Sequence, residues 1–116
     1  MAEVKKVAFV HGEFPVGGAE RVTCDIATAL LERGGYEVYV FARKYNPELL
    51  PSNLASDSRF HVIVSPTLGK IKLRKSWEFV IDGVRANGIG TVVFVMIRQH
   101  EIANELRRMG CRTVYA

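Results

Sequence analysis

Gly17-Gly18-Ala19-Glu20 is the stretch best suited to holding a ligand. Two adjacent glycines let another molecule approach the backbone closely. They stand where a loop becomes a helix, and a helix start offers N–H groups without intrahelical acceptors and the positive end of a macrodipole. That pairing suits an anion, most often a phosphate. Neither GxxxxGK[ST] nor GxGxxG is present, so this is not a P-loop or a dinucleotide fingerprint. Just upstream, His11 could pass a proton or bind a hydroxyl, and Glu13 could orient a sugar hydroxyl. Glu20 could do the same or could simply favour the helix dipole. Far downstream, Arg98-Gln99-His100 supplies a second histidine and a cation. The blander reading makes His11 a half-exposed loop residue and His100 a helix cap. His61, inside a strand pattern, reads as structural. No Ser-His-Asp set or Cys-His pair assembles. Cys24 and Cys111 lie far apart without CxxC spacing and read as small buried hydrophobes, so neither a metal site nor a redox motif is suggested.

The elements that must carry these residues follow from periodicity. Residues 7–10 form a continuous apolar run suited to a strand buried on both faces. Residues 11–16 read as a loop broken by Gly12 and Pro15. A helix follows over 19–33, with Val22, Ile26 and Leu30 spaced by four and Ala27, Ala29 and Leu31 beside them as one apolar stripe, and Gly34-Gly35 as its stop. Residues 36–42 form a second strand. Residues 43–59 make a polar loop, long enough to be either functional or mobile. A short strand over 60–64 ends at Ser65-Pro66. Lys70, Lys72, Arg74 and Lys75 lead into a helix carrying Trp77, Val80, Ile81 and Val84 at i, i+3, i+4, i+7. Residues 91–97 (TVVFVMI) are the most apolar strand and should be central. A helix over 100–109 buries Ile102, Leu106 and Met109, and 112–116 form a fifth strand.

Alternation of this kind predicts a Rossmann-like three-layer α/β/α domain with a five-stranded parallel sheet in the order 3-2-1-4-5. Ligands in such sheets bind beyond the carboxyl ends of the strands, where the order reverses. Here that crevice lies between strands one and four, lined by 11–18 on one side and Arg98-Gln99-His100 on the other.

With 116 residues and 48% hydrophobic content, the chain is one globular domain. No apolar run is long enough to span a bilayer, and the amino terminus lacks a signal-peptide pattern. The expected location is therefore the cytoplasm. A net charge of +4 permits an anionic ligand or lipid surface without demanding one. The basic run 70–75 with Trp77 could rest on the inner face of a membrane as a peripheral contact, although a solvated helix lead-in explains it as well. Nothing suggests nucleic-acid binding. Arg43-Lys44 could meet a 2′-phosphate, but without the glycine fingerprint a nicotinamide cofactor is not expected.

Residues 14–42 resemble the amino-terminal signature of family-4 glycosyltransferases, which have the two-domain GT-B fold. The likeness rests on Gly17-Gly18-Ala19-Glu20, Ile26-Ala27-Thr28-Ala29-Leu30 and Arg33-Gly34-Gly35-Tyr36-Glu37-Val38. It implies transfer of a sugar from a nucleotide-sugar donor to an acceptor, with retention at the anomeric carbon and without a metal. The acceptor would be a polysaccharide, lipopolysaccharide or glycolipid. It implies that Gly17, Gly18 and Ala19 face the donor diphosphate and that a domain of this kind mainly binds the acceptor. The crevice residues Glu13, Arg98 and His100 are then the candidates for acceptor contacts, and His11 and His100, placed there by topology and not by the resemblance, are the candidates for catalysis, with no catalytic residue assigned. The chain departs from the family pattern in three places. The second domain with its Glu-x7-Glu motif is absent. Val93-Phe94-Val95-Met96 stands where members often carry His-x-His. The chain ends before the position of a His-Gly after strand five. Residues 1–116 therefore read as an incomplete amino-terminal domain, inactive alone. The alternative is a free-standing, non-catalytic nucleotide- or phosphate-binding module.

Overall fold

A computed structural model describes residues 3–65, 75–97 and 99–116. Five parallel strands form one sheet in the order β3-β2-β1-β4-β5. The strands are β1 (Lys5–Phe14), β2 (Tyr36–Tyr45), β3 (Phe60–Val64), β4 (Thr91–Phe94) and β5 (Arg112–Tyr115). The helices are α1 (Gly18–Arg33), α2 (Ser52–Ala55), α3 (Lys75–Asn87) and α4 (His100–Arg108). The α/β class and the strand order are those expected from the alternation of elements.

Two cores flank the sheet because alternate strand residues point to opposite faces. On one face Ala8, Val10, Tyr39, Phe41, Val92 and Phe94 meet Trp77, Val80, Ile81 and Val84 of α3 and Ile102, Ala103 and Leu106 of α4. On the other, Phe9, Val38, Val40 and Ala42 meet Cys24, Ala27 and Leu31 of α1 and Leu54 of α2. Trp77 packs within this interior, its ring centroid 6.5 Å from that of Phe94. Residues 70–74 of the basic lead-in lie outside the described residues.

Several boundaries differ from those expected. β1 does not stop at Val10. It stays paired with β2 from Lys5↔Tyr36 to Phe14↔Tyr45, and the Asn46 amide donates to the Phe14 carbonyl at 2.8 Å. The neighbouring strand holds Gly12 extended, and only Pro15 ends the run. The segment expected as one long loop, 43–59, instead completes β2 and then folds into a 3-10 turn (Pro47–Leu49) and α2, with Leu54 buried. β4 is shorter than 91–97 because Met96 adopts φ 58 and turns the chain outward, leaving its side chain exposed. β4 lies inside the sheet between β1 and β5, and β1 is the middle strand, since the chain winds out from it to β2 and β3 and then crosses back to its other side for β4 and β5. The buried arc of α1 is Thr23, Cys24, Ala27 and Leu31, so Ala27 and Leu31 of the expected stripe are buried whereas Val22 and Ile26 are exposed.

Candidate functional site

Gly17 is the residue from which α1 starts. It sits at φ 86, ψ −175, a conformation essentially reserved for glycine. Having no side chain, it caps nothing, and the first helical bond runs from the Arg21 amide to the Gly17 carbonyl at 3.2 Å. The amides of Gly18, Ala19 and Glu20 thus have no acceptor within the helix. Gly18 is exposed, and no atom lies within 4 Å of where a Cβ would stand. β1 and the Phe14–Pro15 cis peptide bond deliver the chain to this point.

Beside the helix start is a cleft of about 560 Å³, with Pro15, Val16, Gly17, Gly18, Arg21 and Leu49 in its wall. It opens toward the 3-10 turn after β2, not toward β4. One wall therefore comes from the segment 43–59. Arg21 supplies a cation, Asp25 an opposing charge, and Val16 and Leu49 exposed apolar surface.

His11 lies beneath this start, only 1% exposed. Its Nε2 is 2.9 Å from Thr23 Oγ1, and the Thr23 hydroxyl donates to the Ala19 carbonyl at 3.3 Å. A hydroxyl has one proton to give, so that bond leaves Oγ1 as acceptor and Nε2–H as donor. The Nδ1 edge then faces Glu20 Oε1 at 3.9 Å, too far for a hydrogen bond. Burial lowers the His11 pKa to about 4, so the ring is neutral at pH 7. His11 is thus an interior strand residue rather than a half-exposed loop residue. It reaches a ligand only through Thr23 and the first turn of α1. The Glu20 carboxylate folds back over the helix start, with Oε2 3.4 Å from the position a Gly17 Cβ would take. A ligand anion must approach from the outer side, past Gly18 and Arg21.

His100 opens α4. Its Nδ1 lies 3.2 Å from the Tyr115 hydroxyl, and the two rings meet edge to face at 5.4 Å. Tyr115 packs on Phe94, on the α3–α4 face of the sheet, whereas His11 faces α1. His11 and His100 thus stand on opposite faces of the sheet. Glu13 accepts from Asn46 Nδ2 at 3.3 Å and pairs with Lys44 Nζ at 3.6 Å, which places it among polar residues of β1 and β2. Arg98 lies outside the described residues. His61 binds Glu37 at 2.7 Å and stacks on Tyr39.

Thr23 and Leu49 are the residues that sequence reasoning passed over. Thr23 had a legible signal, since it is a hydroxyl one turn beyond Ala19 within a largely apolar helix. Leu49 had none, because its place beside Gly17 depends on how 43–59 folds. Among the described residues, no three His, Cys, Asp or Glu side chains cluster as a metal site, and no helix is long and apolar enough to cross a membrane. No protein-family model, curated protein or solved structure matches the chain.

Proposed function

We propose that residues 1–116 form the acceptor-side half of a retaining glycosyltransferase resembling family 4, acting in the cytoplasm. It would move a sugar from a nucleotide-sugar donor to a saccharide or lipid-linked acceptor. The observation that carries this reading is the uncapped, positive-φ Gly17 at the end of β1, opening with Gly18 on a cleft. Free amides aimed at a departing diphosphate stabilise the charge that grows on it as the glycosidic bond breaks. Arg21 adds an exposed cation at the same mouth. The apolar surface of Val16 and Leu49 gives the acceptor a wall to rest on. His11, neutral and buried, holds the first turn of α1 through Thr23 rather than touching the reacting atoms. The rest of the donor site would belong to a second domain.

The test is an amide-shift titration of the chain with UDP-glucose, GDP-mannose and inorganic phosphate. Shifts at Gly17, Gly18 and Ala19 with both nucleotide sugars, weakened about tenfold in Gly18→Ala, are expected. Unmoved amides at saturating ligand overturn the reading. Equal affinity for inorganic phosphate would instead favour the free-standing phosphate-binding module.

A further inference from the structure

Glu20 draws its carboxylate back over the helix start. It is the third residue of α1, the position from which a glutamate reaches toward the N-cap residue in a capping box. The other half of that box is missing, because Gly17 stands at the N-cap in place of a serine or threonine. The amide that such a hydroxyl would occupy is left open, while the carboxylate stays. Its Oε2 is 3.4 Å from where a Gly17 Cβ would stand, and its Oε1 is 3.9 Å from His11 Nδ1. The side chain is only 20% exposed. A negative charge therefore already lies on the inner side of the place a diphosphate would take.

Two anions at one helix start oppose each other. The dipole and open amides that favour Glu20 in the empty site would favour the diphosphate in the filled one, and the two charges then repel at close range. A proton relieves this, and the chain has a place for it. His11 gives Nε2–H to Thr23, so Nδ1 carries a lone pair. Glu20 Oε1 faces that lone pair, acceptor to acceptor. Once protonated, Glu20 can donate to Nδ1 after closing by about 1 Å. His11 is almost fully buried, so little water competes for Nδ1.

The surrounding charges leave this pair to itself. On β1 and β2, Glu13 is held by Lys44, two residues beyond the opposed His11 and Ala42. Cys24 of α1 and Tyr45 of β2 lie on the same face, and burial pushes both above their ordinary values, so both are neutral. β4 brings only Val93 and Val95 to this face among the described residues. The Phe14 ring lies 5.2 Å from that of His11. Arg21 and Asp25 of α1 and Glu48 of the 3-10 turn are exposed on the outer side.

We propose that Glu20 and His11 form a proton-accepting pair on the inner side of the anion site, so that a diphosphate binds together with one proton, held between Glu20 Oε1 and His11 Nδ1. This rests on the anion site proposed at Gly17 and Gly18. The proton comes from solvent and returns to it when the anion leaves. Anion and proton favour each other by the same factor. Glu20 is thus a positioning residue. Charged, it holds the empty helix start, and neutral, it yields the open amides to the ligand.

UDP-glucose is the probe, because a diphosphate diester has no proton of its own to exchange near neutral pH. Calorimetric titration of the full chain in buffers of different ionisation heat counts the protons taken up. About half a proton is expected at pH 5.5 and almost none at pH 7.5, with affinity about threefold higher at the lower pH. Glu20→Gln offers Nδ1 an amide N–H without a proton from solvent. It should bind about thirtyfold more tightly than wild type at pH 7.5, take up no proton and lose the pH dependence. Glu20→Ala removes the charge without offering a donor, so its affinity should fall between the two. The His11 Nδ1 nitrogen resonance should move upfield on binding to wild type at pH 5.5, as its lone pair accepts a hydrogen bond. Amide shifts at Gly17 and Gly18 without proton uptake overturn the pair and leave the anion site standing, as does binding by both Glu20 variants no tighter than wild type. Unmoved amides at saturating UDP-glucose overturn both, since no anion then binds for a proton to accompany.

Discussion

His11 and Gly17 show how one residue's surroundings set its use. Desolvated by burial, with the Glu20 carboxylate no nearer than 3.9 Å to its ring, His11 stays neutral in the fold down to about pH 4, whereas in the unfolded chain it charges near 6.5. The unfolded state therefore binds the proton first. The stability His11 contributes is complete above about pH 6.5 and is lost as the pH falls toward 4, on the order of 3 kcal/mol in all. Urea unfolding at pH 7.5 and 4.5 should show wild type losing about 2.5 kcal/mol more than His11→Gln, and equal losses would show that the ring is solvated. The two glycines of the helix start should separate cleanly. Gly17→Ala forces a Cβ into φ 86 and beside the Glu20 carboxylate, and should cost ~1–3 kcal/mol. Gly18 meets nothing and is not left-handed, so Gly18→Ala should leave the melting temperature within a few degrees and report on ligand approach alone.

At the scale of elements, packing between α3 and the sheet makes the sharpest prediction. A Cβ on Gly83 would lie 2.5 Å from Phe41 Cε1, and Phe41 is fully buried. Gly83→Ala gains about 1 kcal/mol of helix propensity but must displace an aromatic ring in a filled core, which costs ~1–3 kcal/mol. The clash is closer than real contacts allow, so thermal unfolding should show a net loss. Restoring the midpoint by adding Phe41→Leu would locate the clash. A stabilised single variant would contradict this packing. α1 teaches the complementary lesson. Its apolar residues were all visible in the sequence, but which arc met the sheet was not, since Val22-Ile26-Leu30 and Thr23-Ala27-Leu31 are equally periodic. The strand contacts chose the arc containing Ala27, whose small side chain lets helix and sheet approach.

The whole molecule is two cores sharing one sheet, and Ala8, Val10, Tyr39 and Phe41 alternate with Phe9, Val38 and Val40 on the same two strands. Loosening either core should therefore weaken both. Leu54→Ala beneath α2 and Ile102→Ala beneath α4 should each cost ~2–4 kcal/mol. Each should lower a single unfolding midpoint followed by both Trp77 fluorescence and far-UV dichroism. Two separated transitions would show that the layers fold independently.

Class, strand order and the helix start at Gly17-Gly18 could be read from the sequence alone, because they depend on local periodicity, on glycine's backbone freedom and on the handedness of crossovers. The parting of His11 from His100, the wall that segment 43–59 lends to the cleft, and the meeting of Glu20 with His11 were decided only in three dimensions. Each depends on which face of the sheet a side chain takes. A strand turns successive residues to opposite faces, so pairing beyond the local run, as β1 continues to Phe14 against β2, places residues where no window of sequence can place them.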